Sequence, residues 1–277
     1  IEEGSITVPL IAAQLSEVTL VSEAEIRGAM RRAVEKLHLI VEGSAAVAIA
    51  GAAQKQAALR GKTCAVVLTG QGQENFSVGM NLKQFATGLA RMGGPDALFD
   101  QRLRMINAIE TMGKPWIATL FGYCLGGGLE VPLGCHFRLA AAEGAQIGLP
   151  EMDLGTVPAW GGSARLSKCV GPNHALDMIL RGKKITGPEA LRIGLVHEVW
   201  PLEELKDRAI ALAHELAAQP AMAVRGVMEV VVKSQDRSLE ELLQAERRAV
   251  RATMASPDSE EGMRAFMEKR KPVFNQQ

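Results

Sequence analysis

Residues 122–162 read GYCLGGGLEVPLGCHFRLAAAEGAQIGLPEMDLGTVPAWGG, and the fold turns on how this stretch is read. Just before it, Trp116–Phe121 (WIATLF) is an unbroken apolar run. Followed by glycines, such a run predicts a buried strand ending in a tight turn. Gly126, Gly127 and Gly128 carry no Cβ, so the backbone there can come close to a ligand. Leu129 to Gly134 reads as the first turns of a helix. A strand–glycine turn–helix junction presents unpaired N–H groups and the positive end of the helix dipole to whatever lies above it. That arrangement suits a developing oxyanion. Glu130 falls in this first turn, and Glu151 follows in a Pro150-Glu151 corner.

Two carboxylates beside a backbone oxyanion site are what water addition next to a carbonyl requires. One takes a proton from water and the other gives a proton to carbon. Read alone, Glu130 is also a dipole-favoured residue at a helix start, and Glu151 a solvated loop acid. It is the glycines beside both acids that turn the pair into a candidate site.

The chain has 277 residues, enough for one large domain or two smaller ones. At 47% hydrophobic and 22% charged residues it has the make-up of an ordinary globular protein. Acidic and basic residues balance at 31 each, so no global field draws nucleic acid or an anionic membrane. Cys64, Cys124, Cys135 and Cys169 are spread without metal-ligand spacing. They read as buried thiols of a reducing, cytoplasmic compartment. Cys135 and His136 are adjacent, and helix neighbours do not share a face, so no metal site is expected. No apolar stretch reaches bilayer length. The opening IEEGSITVPL lacks the basic and apolar regions of a signal peptide, and the missing initiator methionine implies a processed or excised chain.

Along the chain, Val18–Val21 reads as a short strand. Ser22 with Glu25 makes a capping box, and Ile26, Met30, Val34 and Leu37 recur at helical spacing. An alanine-rich helix over 43–59 ends at Gly61, and Cys64–Thr69 (CAVVLT) is a buried strand. Residues 97–112 form an amphipathic helix, Phe137–Ala142 a strand, and Ala145–Leu149 a short apolar piece. Gly161-Gly162 opens a helix, and 172–180 and 188–193 are further short ones. Arg165 and Lys168 read as solvated. Val196–Val199 is the last strand. Residues 202–217, 221–233, 239–253 and 259–269 are helical, the third with a broad apolar face. No G-x-G-x-x-G motif follows a strand and no Walker lysine motif is present.

In order and spacing, GYCLGGGLE, GLPEMDLGTVPAWGG, RLSKCVG, GLVHEVWP and EEGMRAFMEKRKPVF resemble the crotonase (enoyl-CoA hydratase/isomerase) family over about residues 64–274. The resemblance implies an α/β fold with a core of ββα repeats and a helical C-terminal region that helps form a trimer or a dimer of trimers. It implies hydration of 2-enoyl-CoA thioesters to 3-hydroxyacyl-CoA in fatty acid metabolism. The oxyanion N–H donors would be those of Val78 and Gly127, and the catalytic acids Glu130 and Glu151. Val78, Gly79, Met80 and Asn81 (VGMN) stand where the family commonly has Ala-Gly-Ala-Asp; these four and Leu82 would line the substrate site, and Met80 would narrow the acyl pocket. Gly126, Gly127, Pro150 and Trp160 would line the substrate site. Phe266 and Lys269 would touch CoA across a subunit boundary; read without the resemblance, Phe266 is core and Lys269 surface. Dehalogenase-type members place an Asp near the position of Ala159, so that chemistry is not expected. Two retained acids favour a hydratase over an isomerase or hydrolase. CoA arrives as part of the substrate, and neither a metal nor a redox cofactor is required.

Residues 1–70 follow a different pattern. EEGSITVPL, VTLVSEAEIRGAMRRAV, LIVEGSAAVAIAGA and LRGKTCAVVLTG resemble the C-terminal part of the catalytic domain of PLP-dependent threonine/serine dehydratases. That family's Schiff-base lysine and phosphate loop have no counterpart here, so PLP chemistry is not expected. The resemblance implies a chimera or fusion joined near Thr63–Gln73. Residues 1–70 would be a strand–helix–helix–strand piece packed on the core, 71–200 the crotonase core and 201–277 the helical region. A hybrid of this kind could also be a catalytically impaired scaffold.

Overall fold

The computed structural model describes residues 65–70, 72–80 and 94–276, all within the unit Gly61–Gln277. The expectations for Val18–Val21, for the two helices up to residue 59 and for the packing of 1–64 on the core lie outside the described residues, as do Asn81 and Leu82.

Apolar runs of the kind seen in WIATL suit parallel strands covered on both faces, and that is where they lie. The strands β1 (Val66–Leu68), β2 (Trp116–Leu120), β4 (Phe137–Ala141) and β6 (Glu198–Trp200) form one parallel sheet in the order β1-β2-β4-β6. Val67 stands opposite Ile117, so the strand expected at Cys64–Thr69 does pair with the one at Trp116–Phe121. Ile117, Leu120 and Leu139 are fully buried, each worth about 1.5–3 kcal/mol relative to exposure. Thr119, the polar residue in β2, donates its hydroxyl to Thr69 Oγ1 at 2.8 Å. Helix α5 (Leu202–Ala217) lies across all four strands and buries Leu205 and Ala209.

A second sheet was not expected. The stretch between Phe121 and Gly126 is not a simple glycine turn: Tyr123–Leu125 is a strand, β3, paired in parallel with β5 (Gln146–Gly148). Cys124 faces Ile147 in that pair, Ser77 bridges to Cys124, and Ile147 bridges to Ile185. The strands β2 and β4 of the large sheet are thus each followed by a shorter strand of the second sheet and then by a helix, the ββα pattern. The helices in question are α2 (Gly127–Leu133) after β3 and α3 (Gly162–Leu180) after β5.

The remaining helices match the expected spans to within a few residues: α1 (Pro95–Thr111), α4 (Gly187–Arg192), α6 (Ala221–Val232), α7 (Leu239–Met254) and α8 (Pro257–Met267). The two helices expected over 161–180 run on as α3 with a break at Gly171, whose φ of 79° is not helical. A capping box joins Ser238 to Glu241 at the start of α7. Helices α6 and α7 approach closely, because a Cβ on Gly226 would lie 2.7 Å from that of Ala249. Beyond this contact the C-terminal helices leave Leu239, Met254, Met263 and Met267 exposed. Phe266 is 79% exposed, which corrects its reading as a core residue, and Lys269 lies on the surface.

Arg138, at the start of β4, is buried among backbone acceptors. Its guanidinium donates to the carbonyls of Leu195 at 2.7 Å, Cys135 at 2.6 Å and Pro132 at 3.3 Å. Two of those carbonyls lie at the C-terminal end of α2, where a cation complements the helix dipole. The cation thereby fixes the helix that carries Glu130 against the strand that follows it.

Candidate active site

The site forms where the chain at Ser77–Met80 runs beside the β3–α2 junction. Ser77 N–H donates to the Tyr123 carbonyl at 3.0 Å, and Leu125 N–H returns a bond to the Ser77 carbonyl at 3.0 Å. A Cβ on Gly79 would lie 2.9 Å from the Gly127 nitrogen, so only a glycine lets the two segments approach this far. At the turn, Gly126 has φ 57°, a conformation that a side chain disfavours.

Backbone donors here can be accounted for one by one. Gly79 N–H is taken by Ser77 Oγ at 3.1 Å and Gly126 N–H by the Gly148 carbonyl at 3.1 Å. Leu129 and Glu130 N–H both go to the Gly126 carbonyl. Among the described residues no protein acceptor takes the N–H of Val78 or of Gly127. Both residues line one cavity of about 490 Å³, together with Glu130, Glu151, Gly126 and Pro150.

Helix α2 carries Glu130 inward, where the residue is only 2% exposed. Its Oε1 accepts from Trp160 N–H at 2.7 Å and from Gly162 N–H at 2.9 Å. Burial pushes its carboxyl upward from the ordinary value. The two N–H donors pull it back, nearby Glu151 raises it further, and Arg165 lowers it. Glu151 opens a short 3-10 turn, Glu151–Leu154. Burial raises its carboxyl too, and its Oε2 is buried with no hydrogen-bond partner among the described residues. The two acids are therefore held differently, one by two amides and one with a bare oxygen. Glu151 also lies against the turn: a Cβ on Gly126 would come within 3.0 Å of its Oε1.

Trp160 is 7% exposed and forms part of the same wall. Its N–H is held by Glu130, and its carbonyl accepts from Arg165 Nη1 at 3.2 Å. Arg165 pairs with Glu110 at 2.9 Å and donates to Asn107. The expectation that Arg165 is solvated is thus corrected. Its side chain is largely buried and ties α1 to the loop that seats Glu130. Lys168 pairs with Asp236 at the surface.

Of the residues expected at the site, Val78, Met80, Gly126, Gly127, Glu130, Pro150, Glu151 and Trp160 line the cavity, and Gly79 abuts it. Phe266 and Lys269 do not line it in the single chain. Phe99, Leu125, Leu154 and Val157 complete the apolar wall. None of these four stood out in the sequence, since isolated apolar residues carry no signal of where they converge.

The model of the enoyl-CoA hydratase/isomerase family matches residues 51–277. This chain belongs to the enoyl-CoA hydratase/isomerase family. It is 37% identical over 210 residues to a probable enoyl-CoA hydratase of Bacillus subtilis (strain 168), covering 76% of this chain and 80% of the relative. It is 35% identical to a probable mitochondrial enoyl-CoA hydratase of Dictyostelium discoideum, covering 76% and 74%. Among solved structures, an enoyl-CoA hydratase from Bacillus anthracis superposes with a TM-score of 0.71 at 32% identity, covering 83% of this chain and 90% of that one. One from Polaromonas sp. JS666 gives a TM-score of 0.72 at 27% identity, covering 81% and 88%. These neighbours share the crotonase fold. The family match begins inside the segment read as dehydratase-like, so residues 51–70 fall within the enoyl-CoA hydratase/isomerase family.

Proposed function

We propose that this chain hydrates 2-enoyl-CoA thioesters to 3-hydroxyacyl-CoA. One observation carries the reading: two amides without an acceptor among the described residues, the buried carboxylate of Glu130 and the half-buried one of Glu151 line the same cavity. The thioester oxygen lies between the N–H groups of Val78 and Gly127. As charge moves onto that oxygen each donor stabilises it, typically by about 3–4 kcal/mol. Glu130 and Glu151 hold one water. Glu130, whose charged form is favoured by two N–H donors, takes a proton from that water, and the hydroxide oxygen bonds to the β-carbon. Glu151, whose bare buried oxygen favours the protonated form, gives its proton to the α-carbon. A proton then passes from Glu130 back to Glu151 to restore both. The two acids titrate as a coupled pair.

Retention of both acids supports a hydratase over an isomerase or hydrolase. No metal or redox cofactor enters this chemistry, because CoA comes with the substrate. Loss of the conjugated enoyl absorbance of crotonyl-CoA, with formation of 3-hydroxybutyryl-CoA, tests the reading. A folded chain that binds crotonyl-CoA without hydrating it would be the impaired scaffold instead.

The wider arrangement is part of the same proposal. Residues 71–200 carry the catalytic core and 201–277 the helical region. The exposed apolar side chains of α7 and α8 support trimer formation, with Phe266 and Lys269 meeting CoA from a neighbouring copy. Among the described residues no helix is long and apolar enough to cross a membrane. Sedimentation with and without acyl-CoA tests the assembly.

A further inference from the structure

We infer that Trp160 sets the upper limit on acyl length and confines this site to short-chain enoyl thioesters. The inference rests on the hydratase reading for its substrate and on the indole's position for its content.

Three observations carry it. The indole lies directly on the β3–α2 junction: a Cβ on Gly127 would meet its Cζ3 at 2.1 Å, Cη2 at 2.7 Å and Cε3 at 2.8 Å. The six-membered ring therefore occupies the space beside the amide that receives the thioester oxygen. Second, the residue cannot shift as a whole. Its N–H is bonded to Glu130 and its carbonyl to Arg165, which is itself paired with Glu110. Third, the guanidinium carbon of Arg102 lies over the ring, 5.5 Å from its centroid, a geometry that restrains its tilt.

The direction of the acyl chain follows from the chemistry. With the thioester oxygen at Val78 and Gly127 and the double bond beside Glu130 and Glu151, the chain beyond the β-carbon continues past the carboxylates. The wall there is Trp160 with apolar neighbours including Phe99, Leu154 and Val157. The cavity of about 490 Å³ must also hold the thioester end, and Trp160 is the largest side chain lining it. Each further methylene has to displace an indole fixed at both ends of its own backbone. Apolar walls discriminate by about 10–200-fold per methylene in such a pocket.

The test compares crotonyl-, 2-hexenoyl- and 2-decenoyl-CoA hydration by the wild-type chain and by Trp160→Ala and Trp160→Phe. Both variants keep the backbone N–H that Glu130 uses. Calorimetric binding of saturated butyryl- and decanoyl-CoA supplies a readout independent of turnover. The wild type should favour the shortest substrate, and Trp160→Ala should raise the decenoyl-to-crotonyl ratio of kcat/KM at least about tenfold, with Trp160→Phe between. A wild type that binds decanoyl-CoA as well as butyryl-CoA overturns the inference even if neither variant folds. So does a ratio unchanged in a folded variant. A wild type that hydrates nothing yet binds butyryl-CoA over decanoyl-CoA overturns the hydratase reading and leaves the length limit standing.

Discussion

The Oε1 of Glu130 and the backbone N–H of Trp160 lie 2.7 Å apart, joining positions 30 residues distant in the chain. With the bond from Gly162, this fixes one carboxylate oxygen of a residue that lines the cavity. The pairing makes the main-chain course of 158–162 part of the acid's own geometry.

Glu130→Gln should lower kcat for crotonyl-CoA hydration by about 10²–10⁴-fold, the usual worth of a positioned general base. The amide oxygen can still accept from Trp160 and Gly162, so the fold and the affinity for a saturated acyl-CoA should hold. Stopped-flow turnover alongside calorimetric binding checks both halves. Full activity in this variant would remove Glu130 from the chemistry.

Arg165 acts on Glu130 through the Trp160 carbonyl that it holds and through its charge, which lowers the Glu130 carboxyl, and is a positioning residue. Arg165→Ala should cost about 1–3 kcal/mol in urea unfolding, since it removes charge-assisted bonds to a partly exposed partner. It should also lower kcat more than it raises KM, because the loop that seats Glu130 loosens. Arg165→Lys, which keeps the charge but not the fork, should recover stability better than activity. Equal recovery of the two would mean that the residue is structural alone.

The pH dependence has a definite sign. Burial raises the Glu151 carboxyl above its ordinary value of 4.5, so the native state holds this proton more tightly than the unfolded chain does. The stability from that proton is fully present below about pH 4.5 and is lost as pH rises through the raised native value. Glu151→Gln has no such loss. Relative to wild type, its unfolding free energy should therefore increase as pH climbs from 4.5 through that window and then level off. Urea unfolding of both proteins across this range measures the difference. A difference that stays flat with pH would show that Glu151 is not shifted.

Much of this site could be read from the chain because its parts are local. Gly126-Gly127-Gly128 before Glu130, and Pro150-Glu151 after a short apolar piece, declare themselves within a few residues. The strand Tyr123–Leu125 did not, because three residues between glycines look like a turn until Gln146–Gly148 supplies the partner. Arg165 looked solvated because its partner Glu110 is 55 residues away, on a helix whose polar positions do not announce an inward face. Phe266 looked like core because an aromatic on a helix usually is, yet in the single chain that face has no covering element among the described residues. Local backbone requirements are written in short motifs. Pairings across the core depend on the completed fold.

The close approach of Gly127 to Trp160 gives a coupled prediction. Gly127→Ala should destabilise the chain by about 1–3 kcal/mol or more, because the added methyl would overlap the indole at 2.1 Å. The three nearest atoms that this methyl would meet all belong to the Trp160 ring. Trp160→Ala on its own is destabilising as well, since it empties part of a buried wall. Combined, the two changes should be non-additive, with the double variant more stable than the sum of the single costs by about 0.5–3 kcal/mol. Urea unfolding of the four proteins in one cycle yields that coupling. The Gly127 N–H survives in every member, so any hydration activity in the double variant would also come from a cavity with its backbone donors intact and its indole removed. Strict additivity would mean that the ring does not rest on Gly127 in solution, and the length limit assigned to Trp160 would lose its footing.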